Sequence, residues 1–252
     1  MAGIRKPYLG VWNIIRFNRH FYIFYFLVVI LLFVTLRLLW GGSLAAWICI
    51  LISLPVAISL LISHWVYDRS DLYQLFWLDT LGIKPGDTLV NINAGFDETS
   101  ETIAQKYPEA RMEVFDFYNE TRHTEPSIRR ARRAYPPYPG TRIISTSKIP
   151  LDDHVADFVF LILSAHEIRK EQERLEFFRE VRRVTKPMGR VVVVEHPRDG
   201  ANFLAYTIGA FHFFSKKNWM IVFREAGFKI EKVIKTTPFI TTFIVKCNGT
   251  TP

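Results

Sequence analysis

The stretch LVNINAGFD (residues 89–97) has the outline of a loop that grips a nucleotide-like cofactor. An apolar run suited to a strand leads into a turn at Gly95, and a helix start follows. A glycine at the end of such a strand lets the backbone approach a ligand closely. The stretch holds only this one glycine, with Asn91 and Asn93 before it. Because asparagine tolerates the left-handed backbone region better than most residues, Asn93 can preserve the shape of the loop.

Strand-like and helix-like segments alternate along the chain around this loop. Continuous apolar runs such as RVVVVE are typical of strands buried on both faces of a parallel sheet. The alternation predicts an α/β fold with a doubly wound parallel sheet, whose ligand crevice lies beyond the carboxyl ends of the strands. Strands are predicted at 87–93, 111–115, 142–146, 157–163, 190–195, 228–234 and 241–246, and helices at 67–81, 98–107, 127–134, 170–184 and 216–226.

Two apolar segments, 21–40 and 43–62, precede the alternating region. At about 1.5 Å per residue, each is long enough to cross a hydrocarbon core of about 30 Å. Gly41 and Gly42 supply the reversal between them. The pattern predicts a transmembrane helical hairpin, and a hairpin buried in a protein core is the alternative.

The charges are unevenly distributed along the 252 residues. The net charge is +8, and no Asp or Glu occurs before residue 68. A basic flank before the first apolar segment favours a cytoplasmic N-terminus, and a hairpin returns the chain to that side. We therefore expect a multi-pass inner (cytoplasmic) membrane protein, with a two-helix anchor at 1–66, a globular domain at 67–252 and both termini cytoplasmic. The lipid bilayer is the expected partner, and the mildly basic remainder gives little support for nucleic-acid binding.

Five motifs follow one another in an order that resembles a known enzyme family. They are LVNINAGFDETSETIA (89–104), EVFDFY (113–118), IPLDDHVADFVFLILSAHEI (149–168), VRRVTKPMGRVVVVEH (181–196) and WMIVFREAGF (219–228). In this order they resemble the class I S-adenosylmethionine-dependent methyltransferases, and in style they are nearest to the ubiquinone/menaquinone methyltransferases. The resemblance implies a seven-stranded Rossmann-like sheet with an antiparallel last strand, and S-adenosylmethionine as the cofactor.

The resemblance also implies which residues hold the cofactor. It assigns the carboxypropyl group to the loop at Gly95 and the ribose to Asp116, which ends the second strand. Asn91 and Asn93 stand where the family carries an acid and a glycine. The alternatives are a simple strand-to-helix turn at Gly95 and a solvated strand-end acid at Asp116.

Three further residues belong to the implied cofactor region. Ser147 lies in the stretch that replaces the family's adenine-contacting acid. Tyr67 lies where related enzymes cover the cofactor with an N-terminal segment, although a tyrosine at a membrane interface is an equally good interpretation. Asp97 can cap the following helix or contact the ligand.

Candidate catalytic residues follow the fourth and fifth predicted strands. His166 can act as a general base on a phenol or enol oxygen, with Glu167 orienting it. A surface histidine at a helix start is the alternative interpretation. His196 is a second candidate at the end of strand five. The spacing of these histidines does not indicate a zinc site, so no metal is predicted.

Two other segments bear on the substrate. The aromatic stretch NFLAYTIGAFHFFSKKNW (202–219) follows strand five. It predicts a lid or channel for an apolar substrate, and ordinary helix packing is the alternative. The arginines of SIRRARR (127–133) indicate a solvated helix face that favours anionic headgroups.

Together these features predict a membrane-anchored methyltransferase acting on a hydrophobic small molecule or lipid, such as a quinone precursor, an aromatic compound or a polyene. One alternative is a quinone-modifying enzyme that uses the same cofactor for chemistry other than methylation. The other is a non-catalytic membrane scaffold that has lost cofactor binding.

Overall fold

A seven-stranded sheet forms the centre of the globular part, in a computed structural model that describes residues 6–121 and 126–249. The strands are β1 (Thr88–Asn93), β2 (Arg111–Asp116), β3 (Arg142–Ile143), β4 (Ala156–Ile162), β5 (Thr185–Glu195), β6 (Phe228–Thr237) and β7 (Ile240–Cys247). Their order in the sheet is β3-β2-β1-β4-β5-β7-β6. The pairs from β3 to β5 are parallel, and β7 is antiparallel to both of its neighbours. The predicted α/β sheet with an antiparallel last strand is confirmed.

Helices and irregular segments cover both faces of this sheet. The helices are α1 (Leu9–Phe17), α2 (Arg19–Trp40), α3 (Gly42–His64), α4 (Ser100–Lys106), α5 (Pro126–Ala134), α6 (Glu171–Val184), α7 (Gly200–Tyr206) and α8 (Lys216–Glu225). On one face, α6 and α8 bury Phe178, Val181 and Trp219. On the other face, Leu72 and Leu78 are buried ahead of β1. The strand order reverses between β1 and β4, so the ligand crevice of this fold lies at their carboxyl ends.

The two predicted apolar helices are present as α2 and α3, and both are long and apolar enough to cross a membrane. Most of their large apolar side chains are exposed, which a core hairpin would not allow. The Tyr25 hydroxyl donates to Ser53 Oγ at 2.6 Å and joins the two helices. Before them lies α1, which the sequence did not predict because it falls in a short basic flank.

The prediction of one amphipathic helix at 67–81 was wrong. The chain continues from α3 through a π-helical turn (Trp65–Arg69), and a 3-10 helix (Phe76–Leu81) forms only after a further turn. Leu75 adopts a left-handed conformation with φ 54°, which breaks any continuous helix. The apolar residues of the segment are nevertheless buried, because they pack on the sheet from successive turns.

Candidate functional site

A crevice opens at the carboxyl ends of β1, β4 and β5. It consists of two pockets of about 120 Å³ and about 250 Å³. They share lining residues, among them Tyr73, Phe96 and Leu163, so they form one continuous space. Leu163 lines both pockets, and its backbone has a strained left-handed conformation with φ 53°.

Gly95 adopts φ +96°, and a Cβ added there would lie 2.9 Å from the ring of Tyr118. The glycine is therefore needed for the turn and for the approach of Tyr118. Asn93 ends β1, and its side-chain oxygen accepts the N–H of Gly95 at 3.2 Å. Its amide nitrogen is buried with no partner among the described residues, and Asn93 lines the smaller pocket.

The other polar residues of this loop are mainly structural. The amide nitrogen of Asn91 donates to Thr99 Oγ1 at 3.1 Å and Ser100 Oγ at 2.8 Å, which ties β1 to the start of α4. Asp97 accepts the N–H groups of Thr99 and Ser100 at 2.9 and 3.0 Å, as a helix cap does. Its second oxygen is buried without a partner in the part of the chain that the structure describes, and Asp97 lines the smaller pocket.

Asp116 ends β2 with a buried side chain that is already bonded. One carboxylate oxygen accepts the N–H of Tyr118 at 2.8 Å, and the other forms an ion pair with Arg132 of α5. The same guanidinium lies 4.6 Å from the centre of the Tyr118 ring and donates to the carbonyl of Gly95 at 3.3 Å. Arg132 therefore bridges the glycine loop and the acid that ends β2. The interpretation of SIRRARR as a solvated face was wrong in this respect, because an arginine within it points inward.

Ser147 lies apart from these residues. It lines a separate cavity of about 450 Å³ beside Tyr118, Ser145 and Thr146. The Ser145 and Ser147 hydroxyls are 3.0 Å apart. The cavity adjoins the end of β3, where the resemblance implied the adenine contact.

The carboxyl ends of β4 and β5 bring a charged cluster together. His166, in a 3-10 turn after β4, donates from Nδ1 to the fully buried carboxylate of Glu195 at 2.7 Å, and its backbone N–H donates to the same group at 3.1 Å. Its Nε2 lies 3.3 Å from Glu167, which also lies 3.5 Å from Nε2 of His212. The sequence analysis did not identify Glu195 or His212 as site residues. Glu195 could have been identified, because it ends a strand that lies next to the strand before His166.

The two carboxylates fix the charge of this cluster. Burial alone would lower the pKa of His166, but Glu195 and Glu167 outweigh it and raise the pKa to about 10. Burial would raise the pKa of Glu167, whereas hydrogen bonds from His166 and His212 hold that pKa far below its ordinary value. Both carboxylates therefore favour the protonated form of His166, which is the weaker candidate for a general base.

His196 is the neutral histidine of the crevice. Asn202 uses its amide nitrogen as a donor to Asp199 and Phe239, so its oxygen accepts from Nδ1 of His196 at 3.0 Å. The other nitrogen, Nε2, accepts the Tyr67 hydroxyl at 2.7 Å. Burial lowers the pKa of His196 to about 4, which keeps the ring unprotonated. Tyr67 lines the larger pocket beside His196.

The first helix forms one wall of the larger pocket. Gly10, Asn13 and Phe17 of α1 line it. Asp68 holds this helix in place, because its carboxylate accepts the N–H groups of Gly10 and Val11 at 2.5 and 3.0 Å. The pocket thus lies between the end of the sheet and a helix that leads directly into α2.

Comparison with known proteins adds a family to this geometry. Residues 106–193 match the family model described as "Methyltransferase domain". The matched segment is thus similar to that family over 88 of the 252 residues. No curated protein matches the chain. The matched segment runs from the end of α4 almost to the end of β5, so it includes Asp116 and His166.

Solved structures share the fold at low sequence identity. A SAM-dependent methyltransferase from Aquifex aeolicus has a TM-score of 0.50 at 18% identity, over 76% of this chain and 97% of that one. One from Clostridium acetobutylicum has a TM-score of 0.53 at 10% identity, over 73% and 94%. Geranyl diphosphate C-methyltransferase from Streptomyces coelicolor was solved with Mg²⁺, geranyl diphosphate and S-adenosyl-L-homocysteine. It has a TM-score of 0.52 at 14% identity, over 74% of this chain and 82% of that one. At these identities the likeness shows a shared fold.

Proposed function

We propose that this protein is a membrane-anchored, S-adenosylmethionine-dependent methyltransferase that acts on a lipid-soluble acceptor with a hydroxyl group. One observation carries the proposal: the crevice joins a small polar pocket to a larger one walled by α1. That helix runs into two helices of membrane-spanning length, so an apolar acceptor can reach the pocket from the bilayer surface.

The small pocket fits the amino-acid end of the cofactor. Asn93 offers an unpartnered buried N–H to a carboxylate, and Asp97 offers an unpartnered buried oxygen to an ammonium group. Gly95 makes the turn that brings Asn93 and Asp97 to this pocket, and Asp116 would accept the ribose hydroxyls once Arg132 releases it. When bound, the cofactor supplies an electrophilic methyl group on a sulfonium.

His196 is the residue best prepared to take the proton of the acceptor. Its neutral Nε2 faces the larger pocket and holds the Tyr67 hydroxyl, a hydrogen-bond donor that an acceptor hydroxyl would replace. During methyl transfer, Nε2 of His196 would take the O–H proton of the acceptor. Asn202 is a positioning residue, because it fixes the tautomer that leaves Nε2 free to accept.

The membrane placement follows from charge and length. We propose that α2 and α3 cross the inner (cytoplasmic) membrane and that the methyltransferase domain, beginning at about residue 67, lies on the cytoplasmic side with both termini. The basic residues ahead of α2 support this orientation.

One observation favours a second candidate, a membrane scaffold without cofactor. Asp116, which would hold the ribose, is occupied by Arg132 and the Tyr118 N–H. Calorimetric titration of the full chain in detergent with S-adenosylmethionine distinguishes the two. Saturable binding supports the enzyme, and no binding at millimolar cofactor would overturn it in favour of the scaffold.

If the cofactor binds, transfer of a labelled methyl group to a membrane extract tests the chemistry. A labelled apolar product supports methylation. Consumption of the cofactor without a labelled product would point instead to non-methyl chemistry on the same fold.

A further inference from the structure

Three potential metal ligands converge beside the crevice. Nε2 of His166, a carboxylate oxygen of Glu167 and Nε2 of His212 all lie within 4.8 Å of one another. His166 and Glu167 come from the turn after β4, whereas His212 ends a 3-10 segment that follows α7. We propose that these residues form a binding site for a divalent transition-metal ion, with zinc as the ion that suits them best.

Two of the three distances between these atoms match those of ligands around one ion. With metal–ligand bonds of about 2.1 Å, two ligand atoms of a tetrahedral site lie about 3.4 Å apart. The Glu167 oxygen lies 3.3 Å from Nε2 of His166 and 3.5 Å from Nε2 of His212. Two imidazole nitrogens and one carboxylate oxygen form a donor set used by zinc enzymes, which leave the fourth position open.

The surroundings also match a metal site. Metal-binding histidines commonly donate their other N–H to a carboxylate, which fixes the ring and its tautomer. His166 does this, because its Nδ1 donates to Glu195 at 2.7 Å and its Nε2 faces Glu167, and a bound ion would replace the proton on that Nε2. Arg169 donates to the backbone carbonyls of His166 and His212 and holds the two histidine-bearing segments together.

The position of the site gives the ion a role. Glu167 lines the smaller pocket and His166 the larger one, so the ion would lie where the two pockets meet. Its open position would take an oxygen of the acceptor and hold it near the cofactor pocket. This role rests on the proposed function, whereas the metal site itself does not.

Zinc binding to the full chain tests the site without cofactor or acceptor. The protein is purified in detergent without a histidine tag, stripped with a chelator, and titrated with Zn²⁺ and with Co²⁺, whose visible absorption reports its ligands. We expect one ion per chain, with binding at least about tenfold weaker in His212→Gln and in Glu167→Gln. His212→Cys should retain binding and add a thiolate-to-cobalt absorption band.

His154→Asn is the matched control. His154 is left-handed at φ 56° and bonds the Thr185 carbonyl away from the crevice, and asparagine tolerates that backbone region. It should bind metal like the wild type. Equal affinity in wild type and in His212→Gln, or no binding by the wild type at micromolar Zn²⁺, would overturn the site and indicate an ion-paired cluster only. Because His212 is 34% exposed, its replacement should leave the fold intact, and circular dichroism checks this.

Discussion

The two ends of the crevice differ in which of their polar groups already form hydrogen bonds or ion pairs within the protein. At the β1–β2 end, Asp116 is paired with Arg132, while Asn93 and Asp97 each keep one unpartnered buried atom. At the β4–β5 end, a buried glutamate holds a charged histidine, and a neutral histidine faces the larger pocket. Under the proposed function, the first end would receive the cofactor only after a rearrangement, whereas the second end would need none.

The largest effect is expected from Glu195→Gln, at the pre-arranged end. Its buried carboxylate pairs with the His166 imidazolium and accepts a backbone N–H, so its removal takes from a buried charge its closer partner and leaves only Glu167. We expect a loss of about 3 kcal/mol in the free energy of unfolding. Denaturant unfolding in detergent measures it. Glu231→Gln, which breaks the exposed pair with Arg190, is the control and should cost under about 1 kcal/mol. Equal losses in the two variants would contradict the distinction.

His196→Gln tests the chemistry at the same end. Glutamine keeps a hydrogen-bonding group but cannot take the proton, so methyl transfer should fall about a hundredfold or more. Affinity for S-adenosylmethionine should stay within about twofold, because His196 does not line the small pocket. Initial rates with a labelled methyl group and calorimetry on the same preparation separate the two readouts. A rate unchanged from that of the wild type would show that the acceptor proton leaves by another route.

The difference between the two ends also explains what the sequence could predict. The sheet and the two long apolar helices were predictable, because the spacing of apolar residues and the length of an apolar run can be read from a short stretch of sequence. His166, Glu167 and His196 were predicted to lie together because residues after parallel strands share one edge of the sheet. The pairing of Asp116 with Arg132 was missed, since nothing local tells an inward arginine from its neighbours in SIRRARR. His212 was missed as a partner because 44 residues, including helices and a strand, separate it from Glu167.

Gly95→Ala tests the close packing of the cofactor end. Alanine would be strained at φ +96° and would meet the Tyr118 ring at 2.9 Å. Gly86→Ala is the matched control, because Gly86 has φ +82° and open space around it. Strain alone costs about 1 kcal/mol, so we expect about 1 kcal/mol for Gly86→Ala and about 2 kcal/mol for Gly95→Ala in unfolding experiments. Equal costs would mean that Tyr118 moves away freely and that the loop is less tightly packed than its geometry indicates.

Arg132→Gln gives the smallest effect and tests the rearrangement directly. If Arg132 must release Asp116 before the ribose can bind, the free chain is mostly in a state that does not accept the cofactor, and its apparent affinity is reduced by that fraction. Removing the guanidinium should then raise the affinity for S-adenosylmethionine about tenfold, or about 1.4 kcal/mol. Arg133→Gln, an exposed change on the same helix, should leave the affinity unchanged. Weaker binding in Arg132→Gln would instead make Arg132 a cofactor contact, and both ends of the crevice would then be pre-arranged.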